Sequence, residues 1–392
     1  MANADCIVIQ GSNMAECHPV GYQWVTEAKA RGARIIHVDP RFTRTSAVAD
    51  KHVPIRAGSD IVLLGALINY VIGNDLWFKE YVLAYTNAAT IVSEEFRDTE
   101  DLDGLFSGYD PDSGTYDPSS WAYKRTGKRG SEKDGADAQQ ESHGTGDQYG
   151  SGGPAVQGGY LTDETLQDPH TVFQILKRHY SRYTAELVRE TCGISEADFE
   201  YLARSVTENS GRERTTCFAY AVGWTQHSMG AQFIRTAAIL QLLLGNIGRP
   251  GGGIMALRGH ASIQGSTDIP TLFNLLPGYL PMPTVTAETI EDYLGGIASP
   301  EQKGFWAHAD AYTVSLLKAW WGDAARADND WAYDYLPRLN GPHGTYQTVA
   351  RMIDDQVDGY FVFGQNPAVG SAHGRMQRMG MSHLKWLVVR DL

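Results

Sequence analysis

Two short turns in this sequence carry the residue types that bind phosphate. Near the start, the apolar run Ile7-Val8-Ile9-Gln10 ends in Gly11-Ser12-Asn13, and near the end Tyr360-Phe361-Val362-Phe363 ends in Gly364-Gln365-Asn366. A strand that stops at Gly-x-Asn and feeds a helix lets backbone N–H groups approach an anion, assisted by the helix dipole. Each turn leads to a second apolar strand, Arg34 to Val38 or Leu384 to Val389, and then to an acid: Asp39 lies 28 positions after Gly11, and Asp391 lies 27 after Gly364. A carboxylate there can accept from a ribose or a purine. One such unit is as readily an ordinary tight turn in an α/β sheet. Two units in register to within one residue form an internal repeat of mononucleotide-type halves. Neither copy has the full G-x-G-x-x-G fingerprint, which counts against an NAD-type site; a cofactor with paired dinucleotide moieties fits better.

The elements around the first turn predict a βαβ unit, with strand Cys6 to Gln10, helix Val20 to Lys29 and strand Arg34 to Val38. A link through Val53-Pro54-Ile55 then enters an apolar helix near Asp60. That helix stops at Gly73-Asn74-Asp75, short of the roughly 20 residues a membrane span needs. Ser195-x-x-Asp198 reads as a capping box, followed by Phe199, Leu202, Ala203 and Val206 at helical spacing. Thr215 to Val222 reads as a buried strand. The helical run Ala231 to Leu244 ends in the Gly-rich stretch Gly245 to Gly253, an ordered turn after a helix C-terminus. Between Gly127 and Gly159 almost no residue is apolar, which predicts an exposed loop.

With 392 residues, of which 42% are hydrophobic, the chain can build two cores. Its net charge of −13 argues against a nucleic-acid binder, since the basic stretches near Lys124 to Arg129 and Lys177 to Arg182 do not dominate. The four cysteines, Cys6, Cys17, Cys192 and Cys217, include no C-x-x-C pair, so neither a zinc ribbon nor an iron–sulfur cluster is expected from this chain alone. Cys6 begins a strand and Cys17 sits at a helix entry without partner ligands, so no metal ligand is assigned.

Beyond the two turns, Asp39-Pro40-Arg41-Phe42-Thr43-Arg44-Thr45, Tyr85-Thr86-Asn87-Ala88, Gly223-Trp224-Thr225-Gln226-His227-Ser228, Leu244-Gly245-Asn246-Ile247-Gly248, Leu257-Arg258-Gly259-His260-Ala261-Ser262-Ile263-Gln264-Gly265 and Gly364-Gln365-Asn366-Pro367 follow one another along the chain. In this order they resemble the molybdopterin oxidoreductase family, and more narrowly the catalytic subunit of respiratory formate dehydrogenases. The resemblance implies an α/β fold of two dinucleotide-binding lobes with parallel, doubly wound sheets, incomplete here. Residues 1–259 would form the first lobe, with the exposed loop at about 127–159, and 260–392 part of the second. It implies bis(molybdopterin guanine dinucleotide) carrying molybdenum or tungsten. Gly11, Asn13, Asp39, Arg41, Gly58 and Asp60 would line one dinucleotide, and Gly364, Gln365, Asn366 and Asp391 the other. Gly223, Gln226, His227, Gly259, His260 and Gln264 would lie near the pterins. Arg258, in the R-G-x-x-x-x-Q-G motif, would be the catalytic residue, since a guanidinium that stays protonated can orient a small carboxylate through paired hydrogen bonds. His227 and His260 are more simply structural histidines than proton carriers, and are taken only as cofactor neighbours.

The implied reaction is oxidation of formate to carbon dioxide. The implied partners are an iron–sulfur electron-transfer subunit and, where present, a membrane cytochrome subunit, in the periplasm. The sequence departs from the family pattern in lacking the cysteine-rich module for a four-iron cluster, the selenocysteine or cysteine that ligates the metal, and the closing β-rich domain. An internal fragment is therefore expected, as would arise if a selenocysteine codon were read as a stop, and the isolated piece would be inactive. Nitrate, arsenate or thiosulfate chemistry on the same cofactor, and a non-catalytic remnant scaffold, are the competing readings. The Tyr-Thr-Asn-Ala and Arg-Gly-His-Ala-Ser-Ile-Gln-Gly segments favour formate, and retention of Arg258 and both Gly-x-Asn turns opposes the scaffold.

Overall fold

A run of five residues with no exposed face, Cys6 to Gln10, is stable as a strand only where both sides of its sheet are covered. The computed structural model, which describes residues 1–125, 160–260, 262–297 and 305–391, places this strand at the centre of such a sheet. The loop expected over 127–159 lies outside the described residues. The chain divides into two compact units, Met1–Gly259 and His260–Leu392.

In the first unit the strands are β1 (Cys6–Gln10), β2 (Arg34–Val38), β3 (Lys51–Val53), a short antiparallel pair β4 (Tyr109–Asp110) and β5 (Thr115–Tyr116), then β6 (Thr216–Tyr220) and β7 (Gly253–Ala256). Five of them form an all-parallel sheet of order β3-β2-β1-β6-β7. Its helices are α1 (Met14–Cys17), α2 (Pro19–Ala30), α3 (Arg44–Val48), α4 (Asp60–Gly73), α5 (Lys79–Tyr85), α6 (Val172–Tyr180), α7 (Ala185–Cys192), α8 (Glu196–Glu208), α9 (Val222–Thr225) and α10 (Gly230–Leu243). Because side chains alternate along a strand, β1 divides its own between two cores. Cys6 and Val8 pack with residues of α4, α7, α8 and α10, while Ile7 and Ile9 pack with Met14, Tyr22, Val25 and Ala28 of α1 and α2. Each fully buried aliphatic side chain contributes about 1.5–3 kcal/mol. The sheet is therefore held from both faces, as the α/β expectation required.

Local signals explain most boundaries. Ser195 Oγ accepts the Asp198 amide at 3.1 Å, capping α8. The return bond of a capping box is replaced by an ion pair between Asp198 and Lys51. The segment read as a link into Val53 is instead strand β3, because Lys51-His52-Val53 pairs with Ile36-His37-Val38. The Gly-rich turn after α10 is ordered by Asn246, fully buried, whose Oδ1 accepts the Thr216 amide and whose Nδ2 donates to Gln241 and Ser210.

The second unit contains α11 (Ile263–Asp268), α12 (Ile290–Ile297), α13 (Ala309–Trp321), α14 (Thr345–Ile353), β8 (Gly359–Phe363), α15 (Pro367–Gly370), α16 (Gly374–Ser382) and β9 (Trp386–Arg390). A small core joins Leu276, Leu280, Tyr293, Leu317, Tyr333 and Leu336. Strands β8 and β9 pair in parallel from Gly359↔Trp386 to Phe363↔Arg390, the register that β1 and β2 show from Cys6↔Arg34 to Gln10↔Val38. The internal repeat is thus a repeat of structure: strand, Gly-x-Asn turn, four-residue helix, longer helix, parallel strand.

One contact in the first unit leaves no space for a side chain. The Gly223 amide donates to the Gly11 carbonyl at 3.0 Å, and a β-carbon on Gly223 would lie 2.5 Å from that oxygen. Gly223→Ala should therefore destabilise the fold by about 1–3 kcal/mol, as overpacking does. Gly21→Ala, within α2 and no closer than 3.5 Å to any neighbour, should be neutral or slightly stabilising. Urea midpoints of the two variants test this, and equal midpoints would show that the glycine contact is not tight.

Candidate cofactor-binding site

In an open parallel sheet a crevice forms at the carboxyl ends of the strands where the strand order reverses. Here the chain runs outward from β1 through β2 to β3, then returns to the other side of β1 as β6 and β7, so the reversal lies between β1 and β6. A cavity of about 480 Å³ opens at these strand ends, a volume suited to a small molecule or part of a cofactor.

Its lining comes from every strand of the sheet. The β1 end supplies Gly11, Ser12 and Asn13, and the β2 end supplies Asp39, Pro40 and Arg41. Beyond β3 come Ala57, Gly58 and Asp60. Gly58 holds φ at +83°, which lets the chain turn directly into α4 and present Asp60 in its first turn. Gly223 and His227 follow β6, and Leu257 and Gly259 follow β7. Nine of the residues singled out in the sequence thus share one cavity wall.

The others lie elsewhere. Gln226, an exposed residue closing α9, does not line the cavity. Arg258 stands between two lining residues but is itself exposed, with no hydrogen bond or ion pair to a described residue. His260, Gln264, Gly364, Gln365, Asn366 and Asp391 belong to the second unit. There Gly364, at φ +60°, donates its amide to Arg390 at 3.1 Å, Asn366 begins α15, and Asp391 follows β9 directly.

Buried polar groups orient the lining. Asp60 Oδ1 accepts Gln10 Nε2 at 2.7 Å and Trp224 Nε1 at 3.1 Å, tying the start of α4 to β1 and α9. Asp39 Oδ1 accepts the Arg41 amide at 2.8 Å, which fixes the carboxylate beside the β2 end. The Asn13 side chain is occupied within the protein: Thr45 Oγ1 donates to its Oδ1 at 2.9 Å and its Nδ2 donates to Glu16 at 2.5 Å. What Asn13 offers a ligand is therefore its backbone amide. Two buried atoms on the lining, Ser12 Oγ and His227 Nδ1, have no partner among the described residues. Buried polar atoms are nearly always paired, so both fit a polar ligand. The thiols carry no such role: burial pushes Cys6 up to about 12 and Cys217 up to about 11, leaving both protonated core residues.

Sequence reasoning missed Ser12, Cys17, His18 and Leu257 on the lining, and behind it His37, Thr45 and Ser46. His37 is fully buried on β2, with Nε2 3.1 Å from the Ser12 carbonyl and Nδ1 2.8 Å from Ser46 Oγ. A histidine inside the otherwise apolar run Ile35-Ile36-His37-Val38 was the available signal.

Comparison with known proteins agrees with this architecture. The molybdopterin oxidoreductase family profile matches residues 1–382. The alpha subunit of formate dehydrogenase 2 (cytochrome c-553) from Nitratidesulfovibrio vulgaris is 40% identical across 100% of this chain and 36% of the relative. The major subunit of the nitrate-inducible formate dehydrogenase of Escherichia coli is 40% identical over 99% of the chain and 36% of its own length. The formate dehydrogenase alpha subunit of Megalodesulfovibrio gigas is 37% identical, with 99% and 36% covered. The chain thus spans about a third of the length of the curated relatives it matches.

Two measurements test the wiring of the site. Asp60→Leu leaves the Gln10 and Trp224 donors unpaired at a cost of about 1–3 kcal/mol each, whereas Asp60→Asn keeps an acceptor oxygen and should cost less; urea denaturation of both reads the difference. Burial holds the His37 imidazole below its ordinary 6.5, against the opposing pull of the Asp39 carboxylate and the Ser12 carbonyl. As pH falls the unfolded chain therefore takes up the proton first, and stability present above 6.5 declines below it. The urea midpoint should drop between about pH 7.5 and about pH 5.5 in the native chain, and drop less in His37→Gln.

Proposed function

The chain belongs to the molybdopterin oxidoreductase family, and from that membership we propose that it is the dinucleotide-holding part of a formate dehydrogenase catalytic subunit. The observation that carries this reading is the cavity at the strand-order reversal, walled by the Gly11–Asn13 turn, Asp39, Arg41, Gly58 and Asp60. The Ser12 and Asn13 amides, which donate to no described residue, and the unpaired Ser12 hydroxyl suit a diphosphate. Asp39, held in place by the Arg41 amide, suits a ribose or guanine edge. The matching turn of the second unit, with Gly364, Gln365, Asn366 and Asp391, suits a second dinucleotide, so the reading extends to a bis(molybdopterin guanine dinucleotide) with molybdenum or tungsten.

When bound, the metal–pterin group would accept the two electrons released as formate becomes carbon dioxide and a proton. This chain's own contribution is binding and orientation. Arg258, exposed beside the cavity lining, would hold the formate carboxylate through paired N–H donors. Gly259 at the cavity edge would leave room for the cofactor beside it. Electrons would leave to an iron–sulfur subunit, with a membrane cytochrome beyond it and the assembly on the periplasmic side; that part rests on the resemblance alone.

Calorimetric titration of the 392-residue chain with GDP tests the cavity: saturable binding is expected, and its absence up to millimolar GDP would overturn the assignment. In a subunit of full relative length that contains this sequence, Arg258→Gln should lower kcat/KM for formate by about 100-fold, the loss expected for a paired carboxylate contact. Unchanged formate kinetics would remove Arg258 from the reaction.

A further inference from the structure

The cavity reading uses the face of the Gly11–Ser12–Asn13 turn that meets a ligand; the face behind it holds a set of buried polar side chains with no assigned role. We propose that His37, backed by Ser46 and Thr45, is a positioning residue that sets the Ser12–Asn13 peptide plane so that its amide is presented to the diphosphate of a bound nucleotide. The proposal rests on the nucleotide reading of the cavity.

Each hydrogen bond in this set has one possible direction. The Ser12 carbonyl can only accept, so His37 Nε2 carries the proton it donates across 3.1 Å. A neutral imidazole has one N–H, so Nδ1 is the acceptor and takes the Ser46 hydroxyl proton at 2.8 Å. Ser46 Oγ in turn accepts the Thr43 amide at 2.9 Å, which holds the hydroxyl through the reciprocal cap of α3. The preceding residue, Thr45, is fully buried; it donates to Asn13 Oδ1 and accepts the Ala15 amide at 3.0 Å. Adjacent hydroxyls on one short helix thus brace adjacent residues of the turn, one directly and one through the imidazole.

The consequence for a ligand follows from peptide geometry. In a trans peptide the carbonyl of Ser12 and the amide of Asn13 point in opposite directions, so fixing the first toward His37 aims the second away from it. Neither the Ser12 amide nor the Asn13 amide donates to a described residue. Because the Asn13 side chain is occupied by Thr45 and Glu16, these amides and the Ser12 hydroxyl are what the turn can offer an anion. An imidazole also costs desolvation at a site where Ile35, Ile36 and Val38 show that apolar residues fit. A purely space-filling role would not require a group with two oppositely directed hydrogen bonds.

The test compares GDP affinity of the full chain with that of three variants, with urea midpoints recorded for each. His37→Phe keeps the ring and removes both nitrogens; GDP binding should weaken about tenfold, the effect of one well-placed hydrogen bond. His37→Gln can place an amide N–H where Nε2 stands and should recover most of the affinity, which a merely structural role would not require. Ser46→Ala should weaken binding less than His37→Phe, and the double variant should lose no more than His37→Phe alone. Imidazole nitrogen NMR of the native chain should show the His37 proton on Nε2. Native-like GDP affinity in folded His37→Phe, or a proton on Nδ1, overturns the proposal while leaving the cavity assignment standing. No GDP binding by the native chain overturns both. Should His37→Phe not fold, the Gln and Ala variants and the native tautomer still decide.

Discussion

The carbonyl of Gly11 and the amide of Gly223 meet at 3.0 Å, and this backbone contact joins the turn after β1 to α9, the short helix after β6. The two strands are neighbours in the sheet but lie far apart in sequence, with the outward run to β3 and several helices between them. Parallel strands cannot be joined by tight hairpins, so each connection crosses a face of the sheet, and where the crossovers change direction the strand ends are left uncovered. A β-carbon at either glycine would hold the turn and α9 apart: on Gly11 it would lie 2.9 Å from Trp224, and on Gly223 2.5 Å from Gly11. Where the two glycines meet, the cavity wall is thus bare backbone, the surface best able to offer amides to an anion.

Polar groups placed in an apolar interior are costly unless each is paired, and behind this cavity the pairing is extensive. Asp60 collects two donors, from β1 and from α9, and thereby couples the first turn of α4 to the turn that faces the cavity. Asn246 does the same work at the opposite end of β6, where it bridges the Gly-rich turn, Gln241 and the first strand residue. These side chains link elements by direction as well as by contact, whereas the aliphatic cores on either face of the sheet supply most of the burial energy without fixing orientation.

The two copies of the repeat share a local plan and differ in cover. Cys6–Gln10 is buried along its whole length. In the second unit every residue of Trp386–Arg390 is exposed among the described residues, as are Phe361 and Phe363 of the strand beside it. Strand pairing relative to the Gly-x-Asn turn, the positive φ of its glycine and the four-residue first helix are nonetheless shared, while the second helix is 12 residues in one copy and 9 in the other; the shared features arise from local sequence, independently of how much apolar surface each strand buries.

That independence divides what could be read early from what could not. The strand Cys6–Gln10, its partner Arg34–Val38, the helix from Asp60 and the cap at Ser195 were legible because each depends on neighbours a few residues away, and the repeat was legible because Gly-x-Asn and the following acid keep their spacing. Strand β3 was not: three residues with no alternation become a strand only by pairing with Ile36 to Val38. The roles of Ser12, His37, Thr45 and Ser46 were equally hidden, since one buried histidine gains its meaning from a carbonyl 25 positions earlier and a hydroxyl nine later. By itself the sequence determined the strands, their Gly-x-Asn ends and the spacing of the acids that follow. The tertiary structure decided which of them share a wall and which face of Asn13 is free, because hydrogen-bond direction is set by partners that only folding brings within reach.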